Sequence, residues 1–123
     1  MSHPSFCFNK MQRLLKPAEF KTVFDTAVKK IHSEHCLIFV RVNDKDVPRL
    51  GLAITKKKLK HAVVRNRLKR ITKEVFRLNQ HELANVDLVL IVKKSYTKDC
   101  DIFNEIVKIF EVAKLKYPRL KID

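Results

Sequence analysis

The sequence predicts a single α+β domain. Its elements are read in the order helix, two or three strands, helix, strand, helix. Apolar residues recur at helical spacing in three segments, and between these lie short alternating or continuous apolar runs. One Gly and four Pro in 123 residues argue against disorder and against a turn-rich all-β sandwich. The length suits one domain, residues 1–123. Area scaling for a chain of this size gives roughly 14,000 Å² buried on folding, and 46% apolar residues can supply that core.

Residues 1–16 show no period and are read as an extended arm. Pro17 fits the first turn of a helix. Phe20, Val23, Phe24 and Ala27 follow at i, i+3, i+4 and i+7, one helical face whose simplest role is core packing. A short strand at 28–32 is a weaker expectation. "HCLIFVRV" reads as a strand with Cys36, Ile38, Val40 and Val42 on one side and Leu37, Phe39 and Arg41 on the other. "NDKDVP" is a polar turn closed by Pro48. "RLGLAIT" is a further strand: Leu50, Leu52 and Ile54 form its apolar side, and Gly51 and Ala53 leave the other side open to close approach. The continuous run "VDLVLIV" marks a central strand covered on both faces. Asp99 and Asp101 stand where a helix N-terminus favours negative charge. Ile102, Phe103, Ile106, Phe110 and Ala113 then form a last amphipathic helix that ends before Pro118.

The segment "VVRNRLKRITKEVFRLNQ", residues 63–80, carries six basic residues and one acid, yet its periodicity is that of a core helix. At 100° per residue, Val64, Leu68, Ile71, Val75 and Leu78 span about 80°. Arg65, Asn66, Lys69, Arg70, Lys73 and Arg77 fall opposite, and Arg67 at the border. A merely solvated face would mix acids with bases at i,i+4. Here Arg65/Lys69 and Lys69/Lys73 repel, and Glu74 is the single acid. Such a face fits phosphates: arginine forks grip phosphate oxygens bidentately, and the Asn66 amide can both donate and accept. Lys56, Lys57, Lys58 and Lys60 extend the field into the preceding loop. Residues 56–77 hold ten basic residues and one acid out of a net charge of +14, a concentration that calls for a polyanionic partner. Phe76 lies off the aliphatic stripe and is either covered by another element or stacked on a base.

"RLGLAITKKKLKHAVVRNRLKRITKEVF" resembles the signature of the bacterial ribonuclease P protein component, and "RLLKPAEFKTVF" resembles that family's first helix. The resemblance extends over nearly the whole chain. It implies a subunit that binds a catalytic RNA and helps it remove 5′ leaders from precursor tRNA, with hydrolysis performed by the RNA and Mg²⁺ and the protein inactive alone. It implies contact of the catalytic RNA with Arg65, Asn66, Arg67, Lys69, Arg70, Lys73, Lys56 and Lys57. It also implies a leader cleft formed by Phe20, Phe24, Phe39, Arg13 and Arg41, so that some of these aromatics are partly exposed. It further implies an α/β sandwich in the order α-β-β-β-α-β-α, with a mostly antiparallel sheet and one unusual βαβ crossover carrying the basic helix, left-handed in that family against the general rule. Three positions depart from the family pattern: Lys73 stands where Arg is frequent, Ala27 near a usual turn Gly, and Phe39 where Tyr is common.

A protein nuclease would need acid–base residues or metal ligands, and no such constellation is visible. His32 and His35, with Cys36 beside them, are the nearest approach to a metal set, but spacing in a strand would face the two histidines apart. Asp44 and Asp46 read as a solvated turn. No protein-bound metal is therefore expected. The alternative to a ribonuclease P subunit is a structural RNA-binding protein of ribosomal or chaperone type. A duplex-DNA regulator is disfavoured because no helix-turn-helix pair with a short Gly turn is present. Cys7, Cys36 and Cys100 are odd in number and widely spaced, which points to a reducing, cytoplasmic setting. Neither a membrane span nor a signal-peptide core is seen, so no membrane partner is expected.

Overall fold

The computed structural model describes residues 17–45 and 47–119. The arm at 1–16, with Arg13, and Asp46 of the turn lie outside the described residues. The elements are α1 (Pro17–Thr26), β1 (Lys29–His32), β2 (Cys36–Val42), β3 (Arg49–Ala53), α2 (Ala62–Asn79), a 3-10 turn (Gln80–Glu82), β4 (Val86–Val92) and α3 (Ile102–Lys116). The expected order is thus present, including the short strand before β2. The sheet order is β1-β2-β4-β3. β1 pairs antiparallel with β2, and β2 with β4, while β3 lies parallel to β4. Adjacent parallel strands need a crossover connection, and α2 supplies it. Asp101 caps α3, accepting from the backbone N–H of Asn104 at 3.3 Å.

α2 and α3 cover one face of the sheet. Cys36, Ile38 and Val40 of β2, Leu50 of β3 and Leu88 and Leu90 of β4 meet Leu68, Val75 and Phe76 of α2 and Ile102, Ile106, Ile109 and Phe110 of α3. On the other face Val23 of α1 is buried with Val89 of β4, and Phe20, Phe39, Ala53 and Ile91 pack against them. β4 is covered on both sides, as its unbroken apolar run requires.

α2 is turned from its expected orientation. Leu78 is 52% exposed, whereas Thr72 and Phe76 are fully buried. The buried arc of α2 centres on Leu68, Thr72, Val75 and Phe76, about 65° round the helix from the predicted stripe. The cause is α3: Phe76 meets Phe110 edge-to-face with centroids 6.3 Å apart, and burying a phenylalanine outweighs exposing a leucine at the helix end. Thr72 satisfies its hydroxyl on the Leu68 carbonyl at 2.7 Å. In α3, Phe103 is exposed and Ile109 takes the core position expected of it. Val42, at the end of β2, is likewise exposed.

Asp87 interrupts the apolar run of β4 and is 1% exposed. It is in register with Arg41 of β2 on one side and Arg49 of β3 on the other. Arg49 grips it bidentately, Nε to Oδ1 and Nη2 to Oδ2, both at 2.8 Å. Asn43 Nδ2 donates to Oδ1 at 2.8 Å, and Arg41 Nη1 approaches Oδ2 at 3.4 Å. Arg49 Nη1 also reaches Glu19 of α1 at 3.2 Å. The hydrogen bond to Asp87 raises the Arg49 pKa beyond its ordinary value. Removing one member of a buried pair leaves an uncompensated charge. Arg49→Met is therefore expected to lower stability by about 3 kcal/mol, read from the urea midpoint at unchanged slope. A loss below about 1 kcal/mol would mean that Arg41 and Asn43 compensate Asp87 without Arg49.

Candidate RNA interface

The turn of α2 toward α3 leaves its basic side in solvent. Asn66, Arg70 and Lys73 are exposed and Lys69 is half-buried. Together with Glu74 and Arg77 these residues line a shallow open depression along the helix. Glu74 is taken by Arg77, with Nε to Oε2 at 3.1 Å, and that hydrogen bond holds the Glu74 carboxyl below its ordinary pKa. Among the described residues Lys69, Arg70 and Lys73 have no ion pair. Three adjacent cations left unpaired form a strip of positive potential.

The N-terminus of α2 adds to it. The first turn holds no acid, and the N-cap, His61, makes no side-chain capping bond. The positive end of the helix dipole thus meets the exposed Lys56 and Lys57 of the loop after β3. That loop is anchored: Leu59 is buried in the core, and Arg65 Nη1 donates to the carbonyls of Leu59 and Lys60, each at 2.8 Å. Arg65 therefore has a structural task that charge pattern alone does not reveal. Arg67 Nη1 contacts the Lys98 carbonyl at 3.4 Å and is otherwise exposed.

On the opposite side of the sheet, α1 and β2 frame an aromatic edge. Phe24 is 38% exposed and stands edge-to-face on Phe39, with centroids 4.9 Å apart and planes at 77°. Phe20 is half-buried in the same cluster. Lys30 Nζ lies 5.4 Å from the Phe39 centroid. Arg41 is partly exposed at this edge while its Nη1 faces Asp87. The structure thus brings Phe20, Phe24 and Phe39 together, with Arg41 on the same sheet face.

The ribonuclease P family profile matches residues 8–114. The chain belongs to the ribonuclease P protein family. It is 49% identical over 87 residues to the ribonuclease P protein component of Pseudomonas putida, a match covering 71% of this chain and 65% of that relative. The chain thus matches slightly less than two thirds of that relative's length. Against the corresponding protein of Vibrio cholerae it is 44% identical over 109 residues, 87% of this chain and 92% of the relative. The structure of the Staphylococcus aureus RNase P protein superposes with a TM-score of 0.73 at 25% identity, covering 84% of this chain and 95% of that one. The α+β fold is the fold of the family.

The metal set considered from sequence is not gathered. Cys36 is buried in the core, and burial foremost pushes its thiol up to about 12. His35 lies in the turn between β1 and β2 rather than in a strand, so strand alternation does not govern it. It meets Cys100 and Glu105 instead. Those contacts span 65 and 70 residues, and no spacing rule reaches that far.

The two arginines at the ends of the RNR-containing segment separate by experiment. Arg70→Ala is expected to lower the salt dependence of binding to a structured RNA by about one unit of slope, with stability within about 0.5 kcal/mol. Arg65→Ala is expected in addition to lower stability by about 1–2 kcal/mol, because two loop carbonyls lose a charged donor. Salt titration by fluorescence anisotropy and urea unfolding measure the two effects. An unchanged slope for Arg70→Ala would remove α2 from the interface.

Proposed function

We propose that this chain is the protein subunit of a ribonuclease P holoenzyme, an RNA-based endoribonuclease that removes the 5′ leader of precursor tRNA. The unpaired cation strip Lys69–Arg70–Lys73 carries the reading. Its orientation away from the core, beside the Lys56–Lys57 loop and the uncapped positive end of α2, suits a folded RNA whose phosphates lie on a convex surface. Asn66 and Arg67 flank the strip and would orient on a 2′-hydroxyl or a phosphate. In this reading the α2 face holds the catalytic RNA and α1 with β2 holds the leader.

Phe20, Phe24 and Phe39 suit single-stranded RNA because every base has a π-face, so binding there tolerates any leader sequence. Lys30, Arg41 and, from the arm, Arg13 would neutralise the leader backbone. Hydrolysis belongs to the RNA with Mg²⁺ in this proposal. The exposed face of α2 is cationic and its one carboxylate, Glu74, is engaged by Arg77, so these residues do not fit as Mg²⁺ ligands. No helix among the described residues is long and apolar enough to cross a membrane, and a cytoplasmic holoenzyme fits the widely spaced cysteines. A purely structural RNA-binding role is the second reading, favoured by the net charge alone.

Two outcomes follow. The purified protein with precursor tRNA and Mg²⁺ is expected to yield no mature 5′ ends until a ribonuclease P RNA is added. Cleavage by the protein alone would reject the assignment of chemistry to RNA, and no stimulation of that RNA by the protein would favour the structural reading. Phe39→Ala, confirmed folded by circular dichroism, is expected to weaken binding of a leader-bearing precursor roughly tenfold, the equivalent of about one stacked base, and to leave mature tRNA binding unchanged. Equal loss for both substrates would place Phe39 outside the leader site.

A further inference from the structure

His35, Cys100 and Glu105 converge beneath the turn between β1 and β2. Cys100 Sγ lies 3.7 Å from His35 Nδ1 and 3.6 Å from Glu105 Oε2, and His35 Nδ1 lies 2.6 Å from the same Glu105 oxygen. All three are partly buried, with ligand atoms within 4.8 Å of one another. We propose that His35, Cys100 and Glu105 form a binding site for a divalent, zinc-like cation that fastens the β1–β2 turn to the start of α3.

Metal–ligand bonds of about 2.0–2.3 Å in a tetrahedron place S and N about 3.6 Å apart, S and O about 3.6 Å, and N and O about 3.4 Å. Two observed edges already have these lengths. The third is short because a hydrogen bond closes it, and a cation replacing that proton would open the edge by ~0.8 Å. An imidazole, a thiolate and a carboxylate together select a borderline cation such as Zn²⁺ over Mg²⁺ or Ca²⁺.

The surroundings hold the ligands in place. The backbone N–H of His35 donates to Glu105 Oε1 at 2.9 Å, and its carbonyl accepts from the N–H groups of Lys93 at 2.9 Å and Lys94 at 3.2 Å. The ring of Tyr96 packs edge-on against His35, with centroids 5.4 Å apart. The second ring nitrogen of His35, Nε2, lies 4.0 Å from Glu34 Oε1, so Glu34 adds negative charge beside the cluster without a direct hydrogen bond. Cys100 also borders an open crevice of about 80 Å³ with Arg67, Tyr96 and Lys98, so its side of the cluster is not sealed in the core.

The charge of the whole chain would repel a cation, but the local field is acidic. Burial first, then Glu105, Glu34 and Asp101, raise the Cys100 thiol above its ordinary value. Acids that oppose a bare thiolate are the same acids that attract a metal. Glu105 itself sits low: burial opposes its charge, but hydrogen bonds from the His35 backbone, the His35 ring and Ser33 prevail. Binding would release the Cys100 proton to solvent, while the His35 ring proton would sit on Nε2 so that Nδ1 ligates as a neutral imidazole.

The test is titration of the reduced, chelator-stripped full chain with Co²⁺ and then Zn²⁺. One equivalent of Co²⁺ should produce a near-ultraviolet thiolate-to-metal band and visible tetrahedral bands, both erased by Zn²⁺. Cys100→Ser should abolish the thiolate band. Glu105→Gln should keep it but weaken Zn²⁺ binding at least tenfold. Cys7→Ser and Cys36→Ser should leave band and affinity unchanged. Zn²⁺ should raise the Tm of the parent protein by several degrees and leave that of Cys100→Ser in place. The site is overturned by absence of the band in the parent protein, by its persistence in Cys100→Ser, by its loss in Cys7→Ser, or by undiminished Zn²⁺ affinity in Glu105→Gln. The last arm stands even where Cys100→Ser fails to fold.

Discussion

A carboxylate at the centre of an apolar strand must be compensated, and in this protein its compensation organises the layer above it. Asp87 lies between two arginines in register and also receives the amide of Asn43, which itself shapes the turn before β3 by accepting from the Lys45 N–H at 2.9 Å. The same guanidinium that grips Asp87 reaches Glu19 of α1. One buried charge thus sets the register of three strands, the closing of a turn and the placement of the helix that carries Phe20 and Phe24. Buried ion pairs of this kind contribute specificity as much as stability. An apolar residue at 87 could pack, but it would not tell α1 where to lie.

The two surfaces proposed to meet RNA have different physical origins. The aromatic edge exists because α1 covers the sheet incompletely: Val23 is buried while Phe24, one residue on, remains more than a third exposed. The basic strip exists because α2 is fixed from behind by α3. Rotation of α2 toward Phe110 carries Phe76 inward and moves the exposed arc onto Asn66, Arg70 and Lys73. Core packing and surface charge are in this way one decision, made by which side chain of α2 the next helix accepts.

Element order and the limits of most segments were legible in the sequence, because period-2 and period-3.6 patterns are local. So were the basic helix and the capping aspartate before α3, whereas the grouping of Phe20 and Phe24 with Phe39 came through the family resemblance. What escaped was whatever depends on an element distant in sequence. The 80° stripe of α2 named Leu78 and passed over Phe76 and Thr72, since a wheel does not contain α3. Asp87 was absorbed into an apolar run, although a lone acid there with Arg41 and Arg49 near the ends of two other strands was a readable signal. Arg65 looked like its neighbours until its loop carbonyls were located. His35, read as a strand residue, became part of a cluster only when the turn after β1 and the residues before α3 were brought together.

The unpaired cations of α2 have a consequence for the free chain. Like charges three and four residues apart on one helix raise the energy of the folded state without any contact being wrong. A polyanion that covers them removes that penalty and, by mass action, deepens the folded basin in proportion to its own occupancy. Chains in excess of their polyanion keep the penalty, open more often and are the better substrates for proteolysis. A surface charged in this way makes the lifetime of the chain depend on how much polyanion is there to cover it, a form of stoichiometric control written into electrostatics alone.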